Sequence, residues 1–298
     1  MSFRNTIIAS QQERYLIFEI EVSEGANTLN WHVFGAGGTC WIDWGDGNTA
    51  TCNSGYDINH QYDQQGTFFV KLLLDVDCTG LSTTASTVNI KRCNEAWGKQ
   101  RLNSDFRVQF IQCDNSELVI KTLPSVAKYD NMFYQNINAL LPIANLKDAQ
   151  IVSGYNMFHS CQSALLPFNE LPPTLTKNMN NMFYNCKKAT FKITNVPDAV
   201  TTMNQSFDGC VSADIRLTKL PASIESLKLT FAYCGDAVKI NLDELAANAP
   251  DGGYAALTTI QGAFADTPGV TGSQSRFLSV CPNLTNTTSA FIGTNTTE

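Results

Sequence analysis

Apolar and polar residues alternate over several short segments in the first ninety residues of the chain. Alternation with a period of two residues is typical of strands that have one buried face. Turns rich in glycine or aspartate separate the segments, so the pattern predicts an antiparallel β-sandwich. The predicted strands lie within residues 14–22, 31–34, 39–44, 68–74 and 86–90.

A longer repeat runs through the rest of the chain. The triplet Asn-Met-Phe occurs at 131–133, 156–158 and 181–183, and looser copies continue toward the C-terminal end. The anchor phenylalanines, one in each copy, are Phe110, Phe133, Phe158, Phe183, Phe207, Phe231, Phe264 and Phe291. Their successive spacings are 23, 25, 25, 24, 24, 33 and 27 residues. Because one such repeat cannot bury its own apolar face, the pattern predicts stacked coils that share a core.

Each repeat also has a predicted internal order. A second apolar step follows each anchor and predicts a strand, and a Leu-Pro or Val-Pro pair often ends it. The segment before each anchor predicts a short helix or a single helical turn. The 33-residue spacing contains an insertion near 246–254, which predicts a helix end and a turn. The predicted strands are 140–142, 165–167, 191–193 and 215–217.

Cysteine occurs three residues after the anchor phenylalanine in five repeats. These residues are Cys113, Cys161, Cys186, Cys210 and Cys234. Neighbouring coils lie about 5 Å apart, so the cysteines predict a ladder of thiols inside the stack. Disulfide bonds and metal ligation are alternatives. Asn136, Thr267 and Thr294 hold the same position in other repeats, which favours a buried, reduced ladder in which cysteine packs as a small apolar residue.

Two motifs in the N-terminal segment resemble a known family. The first runs from Trp41 to Gly47, and the second combines His60, Tyr62 and Gly66 with the strand that follows. Over residues 11–92 the chain resembles a PKD domain, which has an immunoglobulin-like fold. The resemblance implies a spacer or contact module and no catalysis. The motif residues are Trp41, Asp43, Trp44, Gly45, Asp46, Gly47, His60, Tyr62 and Gly66.

Three residues of these motifs have chemistry that allows a second interpretation. Asp43 and Asp46 are candidate calcium ligands, but aspartate in a tight turn commonly accepts hydrogen bonds from backbone amides. Six or more oxygen ligands are typical of a calcium site, which favours the turn interpretation. His60 is a candidate base or metal ligand, and the alternative is a structural role at the start of a strand.

The repeats over residues 105–298 resemble BspA-type leucine-rich repeats. The expected fold is therefore mainly β with short helices, an N-terminal antiparallel β-sandwich followed by a leucine-rich-repeat-type solenoid. The expected segments are an arm at 1–10, the sandwich at 11–92, a linker or cap at 93–104 and the repeats at 105–298. This combination resembles surface proteins of gut-associated bacteria and of some of their phages. It implies recognition of a surface or a partner.

Composition narrows the classes of partner. Charged residues make up 16% of the chain and the net charge is −7, which argues against nucleic acid because phosphate binding needs clustered lysine and arginine. No apolar run approaches the length of a membrane span, so no membrane insertion is expected. The N-terminal residues do not resemble a signal peptide. We therefore expect synthesis in the cytoplasm and association with a virion, with a bacterial cell surface as the alternative.

The sequence favours a protein that is not an enzyme. The motifs of serine hydrolases, zinc proteases and phosphate-binding loops are all missing from it. The acidic pair Asp243-Glu244 is typical of a helix start, although two carboxylates would also serve a glycan-processing enzyme. We expect no catalytic residue, metal or cofactor.

The predicted function is a phage head or tail appendage that attaches to a host surface or glycan, and a bacterial adhesin is the alternative. The expected partners are other structural proteins of an assembly, or a cell-surface protein or glycan, and self-association stays open. Tyr134, Tyr184 and Tyr233 lie close to their anchors. They predict either an exposed aromatic stripe or side chains packed at the corners of the coils.

Overall fold

The computed structural model describes residues 15–75, 77–83, 86–94, 107–111, 118–123, 129–137, 150–162 and 170–298. Over these residues the chain is mainly β, with few short helices and several antiparallel sheet pairings. This confirms the coarse fold class predicted from the sequence. In the same residues no helix has the length and apolar character that crossing a membrane requires.

The N-terminal part forms two sheets. The strands are β1 (Leu16–Val22), β2 (Thr28–Gly35), β3 (Thr39–Asp43), β4 (Thr49–Asn53), β5 (Tyr56–Gln61), β6 (Gly66–Leu74), β7 (Cys78–Thr83), β8 (Asn89–Cys93) and β9 (Arg107–Phe110). The first sheet has the order β4-β3-β6-β1-β8, and all of its pairings are antiparallel. The second has the order β5-β2-β7-β9, in which only the β7–β9 pairing is parallel. We call these residues the two-sheet unit.

The inward side chains of the two sheets share one core. Leu16, Phe18 and Ile20 alternate with more exposed residues along β1. The ring of Phe18 lies 4.9 Å from the ring of Trp31 on β2. The sheets therefore face each other, and the period-two pattern of the sequence corresponds to burial on a single face.

Strand β5 corrects one expectation. His60 was expected at the start of a strand, but it is the second-to-last residue of β5. Residues of β5 are mostly polar and at least partly exposed, because β5 lies at the edge of its sheet. An edge strand without a buried face lacks the alternation that reveals strands in a sequence. His60 therefore makes its contacts from inside β5 and not from its first residue.

The first anchor phenylalanine links the repeats to the two-sheet unit. Phe110 ends β9, the strand that pairs with β7. Its ring lies 6.1 Å from Phe18 and 6.0 Å from Phe133. The apolar core therefore continues from the two-sheet unit into the repeats. Of the predicted linker or cap at 93–104, Cys93 ends β8 and residues 95–104 lie outside the described part.

The described part of the repeats contains short parallel pairings, two short α-helices and a 3-10 helix at Gly235–Ala237. β10 (Lys192–Ile193) pairs with β11 (Asp214–Ile215), while β12 (Ile240–Asn241), β13 (Val270–Ser273) and β14 (Asn295–Thr297) form a second parallel set. The strands predicted at 191–193 and 215–217 thus occur in shortened or shifted form, and those at 140–142 and 165–167 lie outside the described residues. Helix α1 (Leu242–Ala247) begins before the predicted insertion at 246–254 and ends within it, and α2 (Gln274–Ser279) follows β13. The Asn241 side chain accepts bonds from the N–H groups of Asp243 and Glu244, which confirms the helix start there.

A turn surrounds each anchor phenylalanine from Phe133 to Phe291, whereas Phe110 ends a strand. Residues two before and two after the anchor have positive φ, as in Asn181 (55°) and Asn185 (58°) around Phe183. Such residues end an α-helical bond pattern, so the predicted segment forms a turn. The Phe183 N–H donates to the Ser206 carbonyl in the next repeat at 2.8 Å, and the Phe207 N–H donates to Thr230 at 2.9 Å. The anchor turns thus bond to one another in a fixed direction along the chain.

Candidate functional site

The anchor phenylalanines form a continuous row of stacked rings. Successive ring centroids lie 5.4–6.0 Å apart, and the planes differ by 6–12°. Seven of the rings are fully buried, and Phe291 at the end of the row is partly buried. This near-parallel geometry repeats because each anchor occupies the same place in its turn. The anchors are therefore core residues and not contact residues.

The thiol ladder has a hydrogen-bonding role as well as a packing role. Cys161, Cys186, Cys210 and Cys234 are buried and reduced. Each thiol donates to the carbonyl of the anchor phenylalanine in the preceding repeat, at 2.9–3.0 Å. Burial raises the pKa of Cys234 to about 12, so its thiol keeps the donated proton at neutral pH. Cys113 lies outside the described residues.

The same bond explains the substitutions within the ladder. Thr267 donates its hydroxyl to the carbonyl of Phe231 at 2.5 Å. Asn136 donates its amide to the carbonyl of Phe110. At the end of the row, Thr294 instead donates to Phe291 of its own repeat at 2.7 Å. Cysteine, threonine and asparagine share a donor on a short side chain. The shared donor is visible in the sequence, whereas the small size of these side chains alone predicts packing and not a hydrogen bond.

In the two-sheet unit, Asp43 and Asp46 bind the turn that joins β3 to β4. Asp43 accepts from the Gly45 N–H at 2.9 Å and Asp46 from the Asn48 N–H at 3.0 Å. Their remaining oxygens contact Lys71 Nζ at 2.9 Å and His60 Nε2 at 2.7 Å. Among the described residues no three His, Cys, Asp or Glu side chains are grouped to hold a metal ion. The carboxylates thus have the backbone contacts that the turn interpretation predicts.

Glycine is required at one position of this turn. Gly45 has a φ of 82°, and a Cβ atom there would lie 2.8 Å from the Phe69 carbonyl oxygen. Gly47 also has a positive φ, 96°, but a Cβ there would meet nothing within 4 Å. Gly45 is therefore fixed by both backbone conformation and space, whereas Gly47 is fixed by conformation alone.

Aromatic contacts hold the second motif against this turn. The His60 ring stacks on Trp44 at 4.7 Å with an interplanar angle of 10°. The Tyr62 ring lies edge-on to His60 at 4.6 Å, and its hydroxyl donates to the Trp44 carbonyl at 3.0 Å. Gly66 begins β6. The structure thus brings together most of the residues that carried the PKD resemblance.

Electrostatics in this cluster favour ionised carboxylates. Burial alone would raise the pKa of Asp46, but the Asn48 N–H and His60 outweigh it and lower that pKa. Burial likewise opposes ionisation of Asp43, and Lys71 with the Gly45 N–H holds its pKa below the ordinary value. Burial raises the pKa of Tyr62, so its hydroxyl remains a donor. These groups stabilise the turn.

The repeats present a partly exposed row of rings beside the anchors, the aromatic row Tyr134, His159 and Tyr184. Each follows its anchor phenylalanine directly. The His159 ring lies 4.6 Å from Tyr134 and 4.8 Å from Tyr184, at interplanar angles of 27° and 32°. All three side chains are half-buried. Burial lowers the pKa of His159, which favours a neutral ring at neutral pH.

The aromatic row differs from the predicted tyrosine stripe. Tyr233 is two residues after its anchor, and it is 56% exposed. The residue directly after Phe231 is Ala232, which is buried. His159 joins the row because it follows Phe158 directly. The position directly after each phenylalanine therefore defines the row, whereas residue type alone groups Tyr233 with the two tyrosines and leaves His159 out.

In the repeat that follows Tyr184, a buried carboxyl group occupies the equivalent position. Asp208 follows Phe207 directly and is 8% exposed. Burial raises its pKa, although a bond of 3.5 Å from Gln205 Nε2 opposes that rise. Three rings and one carboxyl group thus occupy equivalent places in four consecutive repeats. The three half-buried rings offer apolar edges and the tyrosine hydroxyl groups for contact.

The two-sheet unit has its own apolar surface on the outer face of the first sheet. Tyr15 and Trp41 contact each other there with ring centroids 5.6 Å apart. Trp41 pairs with Leu73 across β3 and β6, and Leu73 is 38% exposed. Phe69 on β6 is 50% exposed. We call these four residues the outer apolar face.

No protein-family model, curated protein or solved structure matches this chain. Its chemistry is therefore inferred from its own residues and their geometry.

Proposed function

We propose that the chain is a non-enzymatic attachment protein of a virion, a phage head or tail appendage. In this proposal a BspA-type leucine-rich-repeat solenoid contacts a host-surface protein or glycan, and a PKD-like β-sandwich docks onto the particle. The aromatic row is the observation that carries the proposal. The central contact is the surface formed by Tyr134, His159 and Tyr184.

The stacked anchors and the one-directional backbone bonds support the solenoid. A parallel bridge such as Thr202 with Ser226 joins neighbouring repeats, and Ser226 is bridged in turn to Thr259. Repeats that bond only to their neighbours form an extended, rigid scaffold with a wide surface. A contact group held on such a scaffold loses little conformational freedom on binding.

The chemistry of the aromatic row supports a protein or glycan partner. Tyrosine and histidine combine an apolar ring with a polar atom, and this combination is favoured at contact surfaces. The two tyrosines hold His159 between them, which orders all three side chains before any partner arrives. With a net charge of −7, the chain offers little attraction to a polyanion.

The outer apolar face supports docking through the two-sheet unit. Phe69 and Leu73 expose apolar surface on a strand in the middle of the first sheet. Lys71, which is paired with Asp43, lies between them on the same face. Exposed apolar side chains bordered by polar groups commonly mark an interface with another protein. The docking and recognition surfaces then belong to different parts of the chain.

Binding to cells tests the attachment function. Fluorescently labelled full-length protein is incubated with intact cells of a broad panel of bacterial strains, and a heat-unfolded sample is the control. The proposal predicts saturable binding to some strains by the folded protein only. If no strain binds the folded protein, the attachment function is wrong.

The virion setting needs a separate experiment. Antibodies raised against the purified protein are applied to phage particles and to uninfected host cells. Labelling of particles supports an appendage. Labelling of uninfected cells would contradict the virion setting and support a bacterial adhesin that uses the same surface.

A further inference from the structure

Cys40 and Cys52 face each other across two antiparallel strands. Cys40 of β3 is the direct partner of Cys52 in β4. The Trp44 N–H donates to the Asn48 carbonyl at 3.0 Å, and the Ser54 N–H donates to Gly38 at 2.8 Å. These bonds flank the cysteine pair in the same register, so the pair belongs to the hydrogen-bonded class, with Cα atoms about 5.5 Å apart. Disulfide bonds join Cα atoms roughly 4.4–6.8 Å apart and Cβ atoms about 3.5–4.5 Å apart. The Cβ atoms of a hydrogen-bonded pair lie about 5.5 Å apart, so those of Cys40 and Cys52 must approach by about 1 Å as the bond forms.

Both side chains lie on the same side of the sheet, toward the core. Cys40 is fully buried, and Cys52 is partly buried and packs against the same core. Strand β4 is the edge of its sheet. A dissolved disulfide therefore contacts Cys52 first, because Cys40 is shielded from solvent.

We propose that Cys40 and Cys52 are a modification site, at which a small disulfide such as oxidised glutathione converts the two thiols into a cross-strand disulfide bond. This inference rests on the two-sheet unit alone and does not depend on the proposed attachment function. Both cysteines are reduced in this structure.

The chemistry is a two-step exchange. The Cys52 thiolate attacks one sulfur of oxidised glutathione, forming a Cys52–glutathione disulfide and releasing one glutathione thiolate. Cys40 then attacks the Cys52 sulfur, its proton passes to the departing glutathione sulfur, and the second glutathione leaves as a thiol. The two protein thiols are oxidised and one glutathione disulfide is reduced to two thiols.

The neighbouring thiols divide the two roles in this exchange. The adjacent Cys40 thiol lowers the pKa of Cys52. The same proximity, together with burial, raises the pKa of Cys40. The accessible sulfur therefore ionises first and acts as the nucleophile, and the buried sulfur resolves the intermediate. Cys78 also lies near Cys40, and burial raises its pKa.

The product would fasten the hairpin that carries the first motif. Residues 43–49, which include Asp43, Gly45 and Asp46, lie between the two cysteines. Edge strands offer unpaired backbone groups to other chains. A covalent link from β4 to β3 holds that edge in its register.

Peptide mapping of the oxidised full-length protein tests the site. Native protein is incubated with oxidised glutathione, remaining thiols are blocked with N-ethylmaleimide, and digested peptides are identified by mass spectrometry. We expect a Cys40–Cys52 linked peptide that is lighter than the two reduced peptides by two hydrogen atoms. Cys186 and Cys210, fully buried in the repeats, are expected to stay reduced in the same digest.

Two variants test the order of events. Cys40→Ser is expected to accumulate the Cys52–glutathione disulfide, and Cys52→Ser is expected to leave Cys40 unmodified. Circular dichroism establishes whether each variant is folded. If a variant is unfolded, the presence or absence of the Cys40–Cys52 linkage in the oxidised wild-type protein tests the proposal. Linkage of Cys40 to Cys78, or a stable glutathione adduct on Cys52 of the wild type without linkage, would overturn the proposal.

Discussion

The thiol of Cys210 donates a hydrogen bond of 3.0 Å to the carbonyl oxygen of Phe183 in the preceding repeat. Equivalent bonds join Cys161 to Phe133, Cys186 to Phe158 and Cys234 to Phe207. The ladder residue thus ties one anchor to the next repeat. Burial raises the pKa of Cys210 well above its ordinary value, so the donor is protonated throughout the neutral range.

Removing this donor is expected to destabilise the protein. Cys210→Ala deletes the thiol and leaves a small cavity, and the loss should be about 1–3 kcal/mol of unfolding free energy. Cys210→Thr keeps a donor of the kind seen at Thr267, and its loss should be smaller. Urea denaturation of both variants measures the difference. Equal losses for alanine and threonine would show that the hydrogen bond contributes nothing.

Backbone conformation around the anchors gives a second test. Gly209 has a φ of 75°, and a Cβ atom there would meet only Asn185 Cα at 3.7 Å, so Gly209→Ala has room for its methyl group. The substitution should still cost about 1 kcal/mol, because an L-residue disfavours the left-handed region. Tyr233 has a φ of 56° at the same position of the next repeat, and Tyr233→Gly should gain up to about 1 kcal/mol.

Thermal unfolding followed by circular dichroism measures both changes. The two substitutions are matched, because they exchange glycine and a side chain at equivalent places in neighbouring repeats. If both variants shift the melting temperature in the same direction, conformational preference does not determine stability at this position.

The buried carboxyl group of Asp208 should make stability depend on pH. Burial raises its pKa in the folded state, so folding favours the protonated acid. Its stabilising contribution is complete below the unfolded pKa, about 3.9, and is lost as the pH rises through the folded pKa. Asp208→Asn removes this loss, and the variant should become progressively more stable than the wild type as the pH rises from about 4 through the folded pKa of Asp208.

Urea denaturation over a series of pH values measures this divergence. Asp251→Asn, a substitution at an exposed aspartate, controls for the loss of one negative charge. A wild-type advantage that grows with pH would contradict the interpretation of Asp208 as a buried acid.

Periodicity predicted the positions that carry the core of the repeats. Phe158 and Phe183 are far apart in sequence, and yet equal spacing was sufficient to predict that both belong to a core shared by neighbouring repeats, in which their rings lie 5.4 Å apart. The turns around them were harder to predict, because a positive φ at Asn181 or Ser160 follows from local geometry and not from hydrophobicity. Asparagine is enriched in that conformation, so its recurrence two residues before the anchor was a usable signal.

Contacts between distant polar groups were the least predictable part of the candidate site. The bond between His60 and Asp46 joins a strand of the second sheet to the turn between β3 and β4 of the first sheet. The sequence of β5 does not reveal this strand, because β5 lacks a buried face. His159 is one of only three histidines in the chain, and its place in the aromatic row depends on contacts with two tyrosines from neighbouring repeats. Such contacts depend on the register of strands and repeats, which composition does not specify.

The most direct measurement of the central claim is a binding isotherm on a bacterial strain that binds the wild-type protein. The double substitution Tyr134→Ala with Tyr184→Ala removes two rings of the aromatic row, and Tyr56→Ala removes a tyrosine that is 66% exposed on β5. Central aromatic contacts commonly contribute about 2 kcal/mol or more to binding. We predict that the double variant, folded by circular dichroism, binds at least about tenfold more weakly and that Tyr56→Ala binds like the wild type. Unchanged affinity in the folded double variant would contradict the account.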